Sequence, residues 1–222
     1  CEGVCTVGET LEPVAIGRLE RFVGDTAIKE GWANVPYIEP NGLKVGIVGA
    51  GPAGMACAAD MAKAGCDVTV YEAFHEPGGV LKYGIPDFRL PNSVVDVEIG
   101  KLEKLGIRFE CNTLVGRLFT VEQMLGEMGF HAVFVGTGAG YPSFMGIPGE
   151  SLGGVLSANE WLTRCNLMRG RDFPNYDTPL QPGKRVAVIG AGNTAMDAMR
   201  VSLRVGAEKV TCVYRRSAAE AP

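Results

Sequence analysis

Lys44-Val-Gly-Ile-Val-Gly-Ala-Gly-Pro-Ala-Gly54 is the stretch on which the fold turns. Val45–Val48 is a short apolar run, which predicts a strand. Gly49-Ala50-Gly51-Pro52-Ala53-Gly54 follows and fits G-x-G-x-x-G. The Ala-rich segment Met55–Ala64 predicts a helix, with Gly65 placed to end it. Val68–Tyr71 predicts a second strand that runs into Glu72, 23 residues after Gly49. Strand, glycine turn, helix and strand within about thirty residues make a mononucleotide-binding unit. Gly49 is expected to permit the tight turn, Gly51 to let a pyrophosphate approach the backbone, and Gly54 to let helix pack on strand. The helix start, opened by Pro52 and Ala53, offers free N–H groups and partial positive charge to phosphates. Glu72 is expected to accept from ribose hydroxyls. The competing readings are glycines that serve packing alone and a Glu72 that is a solvated strand-end carboxylate.

The same pattern returns 141 residues later, counted from Gly49 to Gly190. Val186–Ile189 predicts a strand, and Gly190-Ala191-Gly192-Asn193-Thr194-Ala195 is the G-x-G-x-x-A variant. A helix and a strand at Val210–Tyr214 follow. No acid stands where Glu72 stands in the first unit; Tyr214 does, and Arg215-Arg216 comes next. A carboxylate there would repel a 2′-phosphate, whereas guanidinium groups grip one. NADP is therefore favoured over NAD, against the plainer reading of Arg215-Arg216 as an exposed charge pair. Asp197, one turn into the helix, is read as complementing the helix dipole.

Between the units, Glu76–Pro91 is dense in Gly and Pro and predicts loop. Asn92 or Ser93 can cap a helix carrying Val94, Val95, Ile99, Leu102 and Leu105. Ile107–Glu110 and Ala132–Val135 predict strands. Thr120 with Gln123, and Ser157 with Glu160, have capping-box spacing; the second opens a helix through about Met168. Gly146–Gly154 is a linker, and residues 170–184 predict loop. Upstream, Ile16, Leu19, Phe22 and Val23 fall at helical spacing within Gly17–Lys29, and Pro36, Pro40 and Asn41-Gly42 mark a further linker.

Composition bounds the rest. The 222 residues are 46 % hydrophobic and 21 % charged, as in ordinary globular chains. A net charge of −4 gives nucleic acid no electrostatic foothold. No apolar run is long enough to predict a membrane span. No secretory leader is visible. The seven cysteines are odd in number and scattered, without C-x-x-C, so a reducing cytoplasm fits and most are expected to be small buried hydrophobes. His75 and His131 are read as structural or exposed, with His131 opening a buried strand.

Glu76-Pro-Gly-Gly-Val-Leu-Lys-Tyr-Gly-Ile-Pro-Asp-Phe-Arg-Leu-Pro91 resembles the signature of the glutamate synthase small (beta) subunit and its relatives. Those relatives include NADPH:ferredoxin and sulfide dehydrogenase subunits and the N-terminal part of dihydropyrimidine dehydrogenase. Gly17-Arg-Leu-Glu-Arg-Phe22, Gly190-Ala-Gly-Asn-Thr-Ala-Met-Asp197 and Val213-Tyr-Arg-Arg-Ser217 extend the resemblance over the whole chain.

The resemblance implies an α/β chain with two Rossmann-type units, truncated, and a short helical N-terminal remnant. Residues 1–43 would be the remnant of an iron–sulfur helical domain with its linker. Residues 44–150 would begin the FAD-binding domain and 151–222 the NADPH-binding domain. Gly51, Ala53, Glu72, Gly79 and Leu81 would lie near the FAD, Val115 would meet the adenine through its backbone, and Thr137-Gly138 would return to the pyrophosphate. Gly192, Asn193, Thr194, Arg215 and Arg216 would hold NADPH. Cys1 and Cys5 would be ligands of 4Fe–4S clusters in a longer protein, because a cluster takes four ligands. The implied partner is a glutamate synthase large subunit that makes glutamate from 2-oxoglutarate and glutamine, or a ferredoxin-like acceptor. A nucleotide-binding module without turnover is the reading of another class.

Overall fold

The computed structural model describes residues 1–32, 36–180 and 182–221. Residues 33–35 of the expected N-terminal segment, residue 181 of the expected loop and residue 222 lie outside the described residues. Two compact units result, Cys1–Tyr37 and Ile38–Pro222.

The first unit holds two short 3₁₀ turns, Glu2–Val4 and Thr6–Glu9, and helix α1, Ile16–Lys29. Ile16, Leu19, Phe22 and Val23 are exposed on α1.

The second unit is α/β. Its strands are β1 (Lys44–Val48), β2 (Asp67–Tyr71), β3 (Arg108–Glu110), β4 (Ala132–Val135), β5 (Arg185–Ile189) and β6 (Lys209–Val213). Its helices are α2 (Pro52–Lys63), α3 (Val80–Tyr83), α4 (Asn92–Lys104), α5 (Val121–Gly126), α6 (Ala158–Cys165) and α7 (Asn193–Arg204). The strands form a parallel sheet ordered β3-β2-β1-β4 and a separate parallel pair β5-β6. In the larger sheet, Val45 pairs with Val68 and with Ala132.

Alternation along the central strands divides the core. Val45, Ile47, Val68 and Val70 join Ala58 and Ala62 of α2, and Ile107. Val48 and Tyr71 turn to the other face and meet Met124 and Phe130. Gly46 lies on that face, where a Cβ would stand 2.6 Å from Met124 Cε and the end of the methionine would have to shift. A third cluster, Leu162, Cys165 and Val201, joins α6 to α7.

Several local expectations need correction. The stretch 76–91 is not all loop, because α3 forms one turn inside it. Neither Asn92 nor Ser93 caps α4; Pro91 is its N-cap, and the Asp87 carboxylate accepts the Asn92 N–H at 2.9 Å. β3 begins at Arg108, one residue late. Thr120 and Gln123 do form the full capping box. Ser157 caps α6 by accepting the Glu160 N–H, but the Glu160 carboxylate accepts from Arg164 instead of closing the box. That helix stops at Cys165, short of Met168. Residues 170–172 form a 3₁₀ turn within the expected loop. His131 is exposed, in keeping with its reading, and its Nδ1 accepts the Lys44 N–H, but β4, which it opens, is largely exposed and not a buried strand. Only Cys165 is fully buried; Cys1 and Cys212 are exposed and the others lie between.

Candidate dinucleotide site

β1 ends at Val48, and Gly49 turns the chain with φ +102°. The Gly49 N–H donates to the Tyr71 carbonyl at 2.8 Å, and the Gly136 N–H donates to the Val48 carbonyl at 2.8 Å. A side chain at Gly49 would meet the Gly136 carbonyl oxygen at 2.5 Å. At Gly54 the exclusion is harder: a Cβ would stand 1.9 Å from the Gly49 carbonyl oxygen. The helix therefore sits directly on the turn. Gly51 is the N-cap of α2 and has no side chain to occupy the first N–H groups of the helix. Pro52 takes the first helical position, where its missing N–H costs nothing. The N–H groups of Ala53 and Gly54 remain available to an anion.

Glu72 is 6 % exposed, so it is not a solvated strand-end carboxylate. Its Oε2 accepts the Ala50 N–H at 2.8 Å and its Oε1 accepts the Phe74 N–H at 2.9 Å. These charge-assisted bonds fix both loops around the carboxylate. Each oxygen keeps a second lone pair, which suits acceptance from a diol.

The turn after β2 closes over the glycine loop. The Gly78 N–H donates to the Ala50 carbonyl at 2.9 Å. Gly79 has φ +53°, and a Cβ on it would reach Gly51 Cα at 2.7 Å. Two bare backbones thus pack directly against each other. Lys82, in α3, is buried beneath the turn between Glu76 at 2.8 Å and Asp96 at 2.6 Å. Burial opposes its charge, but hydrogen bonds to Asp96 and Glu76 outweigh it and hold the ammonium above its ordinary value. Leu81 is half-buried. Val115 packs on the cluster that holds Val48 and Tyr71, at the carboxyl end of the sheet. Thr137 and Gly138 are exposed, with Thr137 Cα 3.2 Å from where a Gly49 Cβ would stand. Gly49, Gly51, Gly79, Glu72 and Thr137 therefore converge at the carboxyl ends of the strands. That is where the order β2-β1-β4 reverses direction, the usual crevice of an open parallel sheet.

The residues present fit the pyrophosphate and ribose of a dinucleotide, since backbone donors, a buried acid and bare glycines meet at the carboxyl ends of the strands. An open cavity of about 600 Å³ adjoins it, lined by Phe74, His75, Glu76, Asn112, Thr163 and Arg169 among others. Among the described residues, no activated thiol stands beside it. Burial first, and then Glu72, Glu76 and Glu110, push the Cys111 thiol up. Burial and Glu72 do the same to the Tyr83 phenol.

The second loop leaves β5 in the same manner. The Gly190 N–H donates to the Val213 carbonyl at 2.9 Å, and Gly190 has φ +114°. Gly192 is the N-cap of α7 with open space about it, and Asn193 and Thr194 follow exposed. Arg215 and Arg216 are exposed in the turn after β6, unpaired among the described residues. Asp197 corrects the sequence reading. It is buried and bonded to Arg89 at 2.6 Å. A signal was present in the sequence: Asp197 sits among Ala195, Ala198 and Val201, the buried face of α7.

Cys1 and Cys5 lie in the N-terminal unit. Backbone N–H groups of Val14 and Gly8 hold the Cys5 thiol below its ordinary range. Among the described residues, no group of three or more His, Cys, Asp or Glu side chains is arranged to hold a metal ion. No described helix is long and apolar enough to cross a membrane.

Known proteins resemble this arrangement. The chain is 38 % identical over 226 residues to the glutamate synthase (NADPH) small chain of Escherichia coli, covering all of this chain and 47 % of that one. It is equally identical over 246 residues to the NADP(+)-dependent formate dehydrogenase subunit beta of Moorella thermoacetica, covering 33 % of that protein. Among solved structures, FprA from Mycobacterium tuberculosis aligns with a TM-score of 0.66 at 26 % identity, over 82 % of this chain and 45 % of that one. FprA has also been solved in complex with NADPH. The chain spans about a third to a half of the length of the curated relatives it matches. Residues 43–221 match the pyridine nucleotide-disulphide oxidoreductase family, so the second unit in nearly its whole length carries that match and the chain belongs to this family.

Proposed function

We propose that this chain carries the nucleotide sites of an NADPH-dependent flavoprotein oxidoreductase of the glutamate synthase small-subunit type. The observation that carries the reading is the closure of Gly78-Gly79 over Gly51 beside the buried Glu72. In this reading residues 44–150 bind FAD, and 151–222 begin the NADPH site. Gly51, Ala53 and Gly54 offer backbone to the pyrophosphate, Glu72 accepts from the ribose, and Gly79, Leu81, Val115, Thr137 and Gly138 line the remainder. Gly192, Asn193 and Thr194 face the second pyrophosphate, and Arg215 and Arg216 grip the 2′-phosphate. Bound FAD supplies the chemistry, exchanging a hydride for single electrons. The residues of the chain bind, orient and exclude water.

Residues 1–43 are read as the end of an iron–sulfur domain, with Cys1 and Cys5 as ligands of 4Fe–4S clusters completed by other cysteines. The partner is a glutamate synthase large subunit, and the location is cytoplasmic. A second acceptor is favoured by one observation, the equal identity to a formate dehydrogenase subunit. The test is anaerobic addition of NADPH to the native protein purified with its flavin. Bleaching of the visible flavin band is expected, and a protein that never holds flavin overturns the reading. Glutamate formation with the purified large subunit then separates the two acceptors.

A further inference from the structure

The run Pro86–Pro91 belongs to the first loop system by sequence, yet its side chains reach the helix of the second. Arg89 Nη1 lies 2.6 Å from Asp197 Oδ2. The Asp197 side chain is 5 % exposed, and its Oδ1 is buried without a hydrogen-bond partner among the described residues. The Phe88 ring lies under two guanidinium groups of the same helix, Arg204 at 3.8 Å and Arg200 at 4.4 Å from the ring centre. On its other side the run is anchored by the buried Pro86 and by Asp87, which caps α4.

Asp197 is the fifth residue of α7, one turn below the open N-terminus at Gly192–Thr194. An anion is attracted to a helix N-terminus by free N–H groups and the partial positive charge there. A bare carboxylate buried just beneath would oppose that attraction, and more strongly than in water, because little solvent screens it. Arg200 and Arg204 point their charge at Phe88; among the described residues, Arg89 is the cation within ion-pair distance of Asp197.

We propose that Arg89 is a positioning residue for the second dinucleotide site, neutralising Asp197 so that the α7 N-terminus accepts a pyrophosphate. This rests on the reading of Gly190–Ala195 as a pyridine-nucleotide loop. It makes the second site dependent on a side chain delivered by the loop that follows the first.

The experiment titrates NADP+ into the native flavin-containing protein by calorimetry, with flavin content and melting temperature recorded for each variant. Arg89→Met is expected to weaken NADP+ binding about tenfold or more, while Arg89→Lys and Asp197→Asn stay within about threefold of the parent. The double variant R89M/D197N is expected to recover to within about threefold of Asp197→Asn, because the charge that needed neutralising is gone. A purely structural role for Arg89 would be rescued in the same way, because an unpaired buried carboxylate also destabilises the fold. Where Arg89→Met still holds flavin, a loss of binding that tracks a fall in its melting temperature or flavin content therefore marks a structural role and overturns the proposal. Parent-like binding by Arg89→Met, or a double variant as weak as Arg89→Met, overturns the proposal. Should Arg89→Met fail to hold flavin, Asp197→Asn and R89M/D197N are compared directly, and a tenfold gap between them overturns it. A parent that holds flavin but binds no pyridine nucleotide removes the reading of the second loop and this proposal with it. Normal parent binding without an Arg89 effect removes the proposal alone.

Discussion

Gly49 and Gly190 donate to the ends of β2 and β6 through matching hydrogen bonds of 2.8 and 2.9 Å, and both take a left-handed φ. Beyond that the two loops part. The first is enclosed: Gly136-Thr137 lies against one side, Gly78-Gly79 covers another, and Glu72 is tied to its backbone. Around the second, no described atom lies within 4 Å of where a Gly192 Cβ would stand, and β5 and β6 pair behind it. Identical turn chemistry therefore sets the exit of the chain from the strand. The neighbouring segments set how tightly the loop is held.

Replacing Gly54 should break the comparison most severely. Gly54→Ala puts a methyl 1.9 Å from the Gly49 carbonyl, and the helix must move. A loss of about 3 kcal/mol or more is expected, with flavin content falling in parallel, read by denaturant unfolding and visible absorbance. The reciprocal change, Ala195→Gly, concerns a position where the second loop already carries a methyl. It should cost only about 1 kcal/mol, the helix-propensity difference. Equal effects at the two sites would show that the close seating of α2 on its own turn is not what distinguishes them.

Next in size is Glu72→Gln. The shape is kept, but two N–H groups lose an ionic acceptor, and one amide face now presents donors to donors. A loss of about 2 kcal/mol in unfolding free energy is expected, with weaker retention of FAD. The second loop has no counterpart, so a double Arg215→Ala, Arg216→Ala variant should leave stability unchanged within about 0.5 kcal/mol. It should instead weaken NADPH about tenfold or more and leave NADH binding where it was, measured by titration. Parallel loss of both nucleotides would reassign the arginines to general charge.

The smallest effect is a pH limb. The Lys82 ammonium is held above its ordinary value by Asp96 and Glu76, against burial. Its contribution to stability is fully present below the ordinary lysine value of about 10.4 and is lost as pH rises through the raised one. Burial pushes the Cys165 thiol up to about 12, so the folded state resists an ionisation that the unfolded chain undergoes. That lowers stability from roughly pH 8.5 upward. Chemical unfolding across the alkaline range should therefore show a decline in the parent. Lys82→Met should flatten only the portion near and above the lysine value. An unchanged profile would remove the ion-pair clamp under Gly78-Gly79 from the account of the enclosed loop.

What could be read from residues alone follows short-range rules. The two glycine loops, their strands, the Thr120–Gln123 capping box and the place of Glu72 each rest on spacing within one segment. The turn α3 escaped because Gly and Pro around it signal loop, while four residues are too few to show a helical period. Asp87 as the cap of α4 escaped because it acts across Leu90 and Pro91, five residues from the N–H it accepts. Asn92 and Ser93 are the better cappers by type, and Pro91 by its fixed backbone moved the helix start ahead of both.

The sequence by itself determined the architecture of two strand–turn–helix–strand units and the chemistry each turn offers. Glycine positions and hydrophobic periods act locally, and every copy of such a segment meets the same backbone constraints. Only the tertiary structure decided how the first loop is enclosed, that Lys82 lies buried between two acids, and that Arg89 pairs with Asp197 across 108 residues. Desolvation and ion pairing depend on which surfaces the fold brings together, and no spacing along the chain encodes that distance.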